Sequence, residues 1–131
     1  RLTFLEAVLA ALGLSARAKL VHARAEDGGR MDALRAGFDI AFTRAVAPAS
    51  VALEWTVPFL KVGGTSLLYK GAKAGEELAA AANALRVLSA AASLSRFEAP
   101  WGERWVIAAK KEAKTPKEYP RKAGAAAKKP L

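Results

Sequence analysis

A cation closes a short apolar run in Phe38-Asp39-Ile40-Ala41-Phe42-Thr43-Arg44, and the proline-stopped loop Ala45-Val46-Ala47-Pro48 follows it. In an open α/β sheet ligands sit outside the carboxyl ends of the strands, so a charge just past an apolar run is set for binding rather than packing. A guanidinium there has to find a carboxylate, an array of carbonyls or a phosphate, and within the chain Asp39 and Glu54 are acids that could pair with Arg44. Thr43 to Pro48 is therefore the first candidate site. Lys70-Gly71 repeats the pattern after Thr65-Ser66-Leu67-Leu68-Tyr69, and is equally compatible with a glycine-ended strand carrying a solvated lysine. Arg24-Ala25-Glu26 reads as a surface turn, or as a helix start whose acid favours the dipole.

The inventory of side chains excludes several chemistries. With no cysteine and one histidine, the chain offers no disulfide framework, no thiolate nucleophile and no Cys-type zinc site, and a metal-free protein is expected. His22 reads as a structural residue at a strand end. No apolar run approaches the ~20 residues of a membrane span and no signal sequence opens the chain, so a cytoplasmic location is expected. The net charge of +9 points to a polyanionic partner, because clustered cations release counterions from a phosphate backbone. Residues 110–129 hold eight of the cations against Glu112 and Glu118, a concentration that a solvated, disordered tail would also explain.

Elements must hold these residues in place. The length of 131 residues suits one domain, and 53% hydrophobic content is enough for a core. Leu2, Leu5, Val8, Leu9 and Leu12 recur at helical spacing before Gly13, which predicts a helix over residues 2–12. Ala18 to Ala23 reads as a strand, Gly28-Gly29 as a break, Arg30 to Arg35 as a short helix and Phe38 to Phe42 as the next strand. Val51, Leu53, Trp55, Val57 and Leu60 fit a helix ended by Pro58 and by Lys61-Val62-Gly63-Gly64, with Thr65 to Lys70 a buried strand after it. Glu76 to Leu88 is expected as the longest helix, and Ala92 to Glu98 and Arg104 to Ala109 as an antiparallel hairpin around Pro100-Trp101-Gly102. Strands alternating with helices argue for parallel pairing through right-handed crossovers, so the expected class is an α/β, doubly wound sheet ending in that hairpin.

Such a sheet is the Rossmann-like architecture of class I S-adenosylmethionine-dependent methyltransferases, and the residues make the likeness specific. Taken in order, Arg1-Leu2-Thr3-Phe4-Leu5-Glu6, Ala11-Leu12-Gly13-Leu14, Arg24-Ala25-Glu26, Thr43-Arg44-Ala45-Val46-Ala47-Pro48, Leu60-Lys61-Val62-Gly63-Gly64 and Lys70-Gly71 resemble one family throughout. The ending does too, in Thr115-Pro116-Lys117-Glu118-Tyr119-Pro120-Arg121-Lys122-Ala123-Gly124 and Lys128-Lys129-Pro130-Leu131. The family is the small-subunit ribosomal RNA guanine-N7 methyltransferase, also called glucose-inhibited division protein B. Its N-terminal helical region, its first strand with a glycine-rich turn and its second strand are not among these residues. Residues 1–111 therefore read as a partial methyltransferase domain, lacking the first two strands and the glycine-rich turn, and residues 112–131 as a basic C-terminal tail. In the family the two strands lie between the Leu20 and Ile40 segments, so those segments are expected either to keep unpaired edges or to pair in a substitute arrangement.

The resemblance implies S-adenosyl-L-methionine as cofactor, with Ala25, Glu26 and Arg44 as contacts, and transfer of its methyl group to N7 of a guanine, position 527 of 16S ribosomal RNA. A short side chain at Ala25 admits a flat adenine, Glu26 can accept a hydrogen bond, and Arg44 can meet either the cofactor carboxylate or the RNA backbone. Guanine N7 already has an available lone pair, so the displacement needs no general base and no catalytic residue is assigned. The implied partner is 16S ribosomal RNA or the small ribosomal subunit, with a monomer expected and no membrane contact. Candidates for holding RNA are Lys70, Lys73, Arg104, Lys117, Tyr119, Arg121, Lys122, Lys128 and Lys129. Trp101 in the turn is as well placed to stack on a base as to pack, while Trp105 within a strand reads as core. The alternative is a non-enzymatic basic RNA-binding module on the same scaffold.

Overall fold

Four segments with strand-like alternation pair into one mixed sheet in the computed structural model, which describes residues 1–131. They are β1 (Phe38–Arg44), β2 (Leu60–Lys70), β3 (Ala90–Ala99) and β4 (Gly102–Lys111), in the order β1-β2-β4-β3. β1 and β2 run parallel, with Ile40 opposite Thr65 and Arg44 opposite Tyr69. β4 runs antiparallel to both β2 and β3, and Ala99 opposite Gly102 closes the expected hairpin on Pro100-Trp101. Gly63 and Gly64 lie inside β2 rather than ahead of it, because the strand bulges there: the step from Phe38 to Ile40 on β1 matches Leu60 to Thr65 on β2. A Cβ on Gly64 would stand 2.9 Å from the carbonyl oxygen of Asp39 and 3.0 Å from that of Lys61, so only glycine fits the approach of the two backbones.

Helices cover one face of the sheet. α3 (Ala49–Thr56) runs into a 3₁₀ turn at Val57–Phe59, and α4 (Ala74–Ala80) and α5 (Ala82–Val87) follow β2. Leu53, Val57, Leu68, Leu88 and Ile107 form the centre of the core, and Ala49, Ala52, Ala81, Ala84 and Ala109 let the helices approach closely. The expected single helix over Glu76 to Leu88 is broken at Ala81, whose N–H is shared between the carbonyls of Glu77 and Leu78, and Ala81 sits fully buried at the break. The longest helix is instead α1 (Leu2–Ala11), none of whose residues is buried.

Two further expectations change. Ala18 to Ala23 forms no strand; a strand's backbone needs a hydrogen-bonded neighbour, and none lies beside this exposed segment. His22 accordingly stands exposed in coil, and β1 keeps its outer edge unpaired. The short helix lies before Gly29, at α2 (Ala25–Gly28), with Glu26 and Asp27 in its first turn where the dipole favours acids; only a single turn from Met31 remains of the Arg30 to Arg35 helix.

The last twenty residues are held by charge. The Glu54 carboxylate, fully buried on α3, accepts the backbone N–H of Arg121 at 2.8 Å and its Nη2 at 2.7 Å. Those hydrogen bonds raise the guanidinium pKa above its ordinary value, and burial opposes them. Arg35 donates to the carbonyls of Gly29, Thr115, Pro116 and Tyr119, and Arg30 to that of Pro120. Tyr119 and Leu131 pack on the core, Ala126 of α6 (Ala125–Lys128) is buried, and so residues 112–131 are continuous with the body of the fold. Lys111, 2% exposed, donates from Nζ to the carbonyl of Leu60 at 2.8 Å. Burial, with the Arg35 charge nearby, pushes its pKa down to about 8.

Replacing Arg121 with alanine leaves a fully buried carboxylate without its cation and should lower stability by about 3–5 kcal/mol, measured by urea unfolding. A loss under about 1 kcal/mol would show that the pair does not hold the tail. Lys111 binds its proton less tightly folded than unfolded, so its contribution makes stability rise with pH between about 8 and the unfolded value of 10.5. The wild type should therefore gain on Lys111→Met across that window, and denaturation midpoints separated by the same amount on both sides of it would contradict the assignment.

Candidate functional site

The parallel pair sets the site at one edge of the sheet. β1 ends in Arg44, β2 ends beside it in Tyr69 and Lys70, and the antiparallel hairpin brings Trp101 and Arg104 to the same edge, since Trp105 lies opposite Lys70. Phe42, Thr43, Arg44, Tyr69, Trp101 and Arg104 line an open groove of about 630 Å³. Phe42 and Tyr69 stack with ring centroids 6.4 Å apart, and Trp101 is 73% exposed across from them. A second groove of about 350 Å³ is largely apolar and follows the unpaired edge of β1, with Ala25, Phe38, Ile40, Phe42, Thr43 and Val46 in its walls. Phe42 and Thr43 belong to both grooves.

The loop after β1 is fixed from below. Lys70 Nζ donates to the carbonyl of Ala47 at 2.5 Å and pairs with Glu77 Oε1 at 3.0 Å, while the same carboxylate oxygen accepts the Ala49 N–H at 3.0 Å. Ala45 adopts φ of 52°, a left-handed turn that an alanine enters only under constraint, and this swings the chain away directly after Arg44. Lys70 is thus neither solvated nor free; it belongs to the support of the loop.

Arg44 pairs with neither acid in the chain that could have claimed it, since Asp39 meets Lys61 at 3.5 Å and Glu54 meets Arg121. Its guanidinium stands exposed in the aromatic groove without an ion-pair partner. Ala25 lines the apolar groove, but Glu26 lines neither: it is 4% exposed and its carboxylate accepts the Gly124 N–H at 3.0 Å. Of the RNA candidates, Arg104 stands in the aromatic groove, Lys73 is exposed just beyond β2, and Lys117, Lys122, Lys128 and Lys129 are exposed along the C-terminal segment. Tyr119 packs on the core and Arg121 is bound to Glu54. Trp105 is half-buried under the Arg96 guanidinium, 6.0 Å from its centroid. Phe42, Tyr69 and Glu77 were not singled out from the sequence; the signal for Tyr69 was its place directly before Lys70-Gly71, whereas Glu77 reaches the loop only through the packing of α4.

A solved S-adenosylmethionine-dependent O-methyltransferase from Thermotoga maritima matches 85% of this chain and 46% of its own at a TM-score of 0.56 and 16% identity. A cofactor-bound protein from MTB matches 82% and 56% at 0.58 and 18%. The chain thus has the class I, Rossmann-like methyltransferase fold. The family model described as rRNA small subunit methyltransferase G matches residues 1–100, and the chain belongs to that family. Curated proteins named Ribosomal RNA small subunit methyltransferase G are 46% identical in Leuconostoc citreum and 47% in Streptococcus thermophilus, each over the whole of this chain. The chain spans about half the length of these relatives, 55% and 56%. No helix is long and apolar enough to cross a membrane.

Replacing Glu77 with alanine should free the Ala49 amide and speed its hydrogen exchange about 10-fold or more, since hydrogen bonds to charged groups contribute about 1.5–3 kcal/mol. Exchange within β2 should hardly change, and equal acceleration in both places would mean that Glu77 supports the whole fold rather than the loop.

Proposed function

We propose that the whole protein is an S-adenosylmethionine-dependent methyltransferase acting in the cytoplasm on N7 of a guanine in 16S ribosomal RNA, the implied position being 527. One observation carries the reading: an apolar groove and an aromatic, cationic groove share the wall formed by Phe42 and Thr43. A methyl donor in the first and a base in the second would be neighbours. Membership of a methyltransferase family favours this over a purely RNA-binding module.

The residues present fit the cofactor in part. Ala25, Phe38, Ile40 and Phe42 offer flat apolar surface of the kind an adenine ring prefers, and Arg44 offers an unpaired guanidinium for its carboxylate or for an RNA phosphate. Glu26 commits one oxygen of its carboxylate to Gly124, which leaves its other oxygen and its backbone for the cofactor contact that the resemblance implies. The resemblance places two further strands along the free edge of β1, which would reshape the deeper part of the apolar groove.

When bound, the cofactor supplies a methyl group activated by the sulfonium. Everything required of this chain is positioning. Tyr69, Phe42 and Trp101 would hold the acceptor base by its faces, where stacking contributes roughly 1–3 kcal/mol per base. Arg104 and Arg44 would hold adjoining anionic groups, and the Lys70–Glu77 support would keep Arg44 in register. No side chain need accept a proton, because N7 attacks through a free lone pair. Correct placement alone can contribute on the order of 7–11 kcal/mol.

Arg44→Ala in a protein of the relatives' full length should lower kcat/KM for RNA methylation about 10- to 100-fold, as loss of a charge-assisted hydrogen bond predicts. Unaltered methylation would remove Arg44 from the site. Trp101→Ala should weaken RNA binding by about 1–3 kcal/mol while leaving calorimetric affinity for S-adenosylmethionine unchanged. The 131 residues alone should bind the cofactor poorly, and low-micromolar binding by them would contradict the need for the glycine-rich turn.

A further inference from the structure

The far end of the sheet carries a second concentration of charge. Where β2 begins and β4 ends, a cavity of about 510 Å³ is walled by Arg35, Lys61, Lys111, Lys114 and Lys117, with Asp32 as its one acid. Only Lys61 has a carboxylate partner, the exposed Asp39. The terminal nitrogens of Arg35 are turned to backbone carbonyls, which satisfy its hydrogens without cancelling its charge. Lys111 lines the same cavity and donates to two carbonyls, which leaves one of its three N–H groups uncommitted. In the same wall the Oγ1 of Thr115 is buried without a hydrogen-bond partner.

We infer that this cavity binds a phosphate group of an RNA backbone. A buried cation is ordinarily paired, and the buried Lys111 has no carboxylate partner in the chain. An anion in the cavity would lie among five cations, meet the spare N–H of Lys111 and relieve its repulsion by Arg35. A polyanion is favoured over a lone anion because the aromatic groove, with Arg44 and Arg104, lies at the opposite end of the same strands. On β4 the cavity's Lys111 and the groove's Arg104 stand seven residue steps apart, roughly 23 Å at ~3.3 Å per residue, a span that several nucleotides of single strand can bridge. The inference rests on RNA as substrate and adds a second anchoring point distant from the reacting base.

The test uses inorganic phosphate and a short single-stranded oligoribonucleotide, with no S-adenosylmethionine present, so that it stands apart from the cofactor reading. In the wild type, phosphate should raise the titration midpoint of Lys111, followed by NMR at Nζ, from about 8 toward the ordinary lysine value. The exposed pair Lys114→Gln and Lys117→Gln should abolish this rise, and the charge-preserving pair Lys114→Arg and Lys117→Arg should keep it. The slope of log affinity for RNA against log salt should become shallower by about 0.7 in the glutamine pair, because one phosphate of a single strand is then no longer neutralised. A Lys111 midpoint indifferent to phosphate would overturn the site. A phosphate response with an unchanged RNA slope would mark a site for free phosphate and overturn its assignment to RNA.

Discussion

The parallel register of β1 on β2 is the constraint from which the rest of the arrangement follows. It sets Arg44 level with Tyr69 and so places a guanidinium beside an aromatic stack at one edge of the sheet. A slip of one residue would turn Phe42 and Arg44 to the face packed by α3, where neither a ring stack nor a solvated charge could be accommodated. The bulge at Lys61 to Gly64 takes up the mismatch between the two strands before the register locks at Ile40 and Thr65, and Gly64 permits it by bringing no side chain to the backbone of Asp39.

Charges in this chain divide by whether the fold has already claimed them. Glu54, Glu77 and Glu26 each anchor a distant segment: the C-terminal stretch at Arg121, the loop before α3 and the turn at Gly124. The cations paired with the first two, Arg121 and Lys70, look in sequence like any other cation available to a polyanion. With acids taken inward, Arg44, Arg104 and the lysines of the far cavity other than Lys61 are left without carboxylates, which puts unpaired cations at both ends of the strands. Arg30 and Arg35 extend the same logic with carbonyls in place of acids, which fixes residues 115–120 while leaving their charge uncancelled.

Relation to a methyltransferase family accounts for the open features as well as the closed ones. The outer edge of β1 is unpaired, and α1 buries no residue. Each is apolar or hydrogen-bonding surface of the kind that further parts of the relatives, nearly twice as long, would cover.

By itself the sequence determined the elements whose signals are local. The apolar run of β1, the strand at Thr65 to Lys70 and the hairpin around Pro100-Trp101-Gly102 were legible because side-chain alternation and turn chemistry act over a few residues. Motif order likewise disclosed the family, and Arg44 stood out because a cation after an apolar strand is conspicuous. What only the tertiary structure decided depends on partners far apart in the chain. Ala18 to Ala23 has the composition of a strand but no neighbour to complete its hydrogen bonds, the helix at Glu76 to Leu88 breaks where Ala81 meets the core, and Glu26 turns inward to a residue 98 positions away. The charge state of the site belongs to the same class, since residue type fixes whether a side chain is a cation, whereas folding fixes which cations are left without a counter-charge.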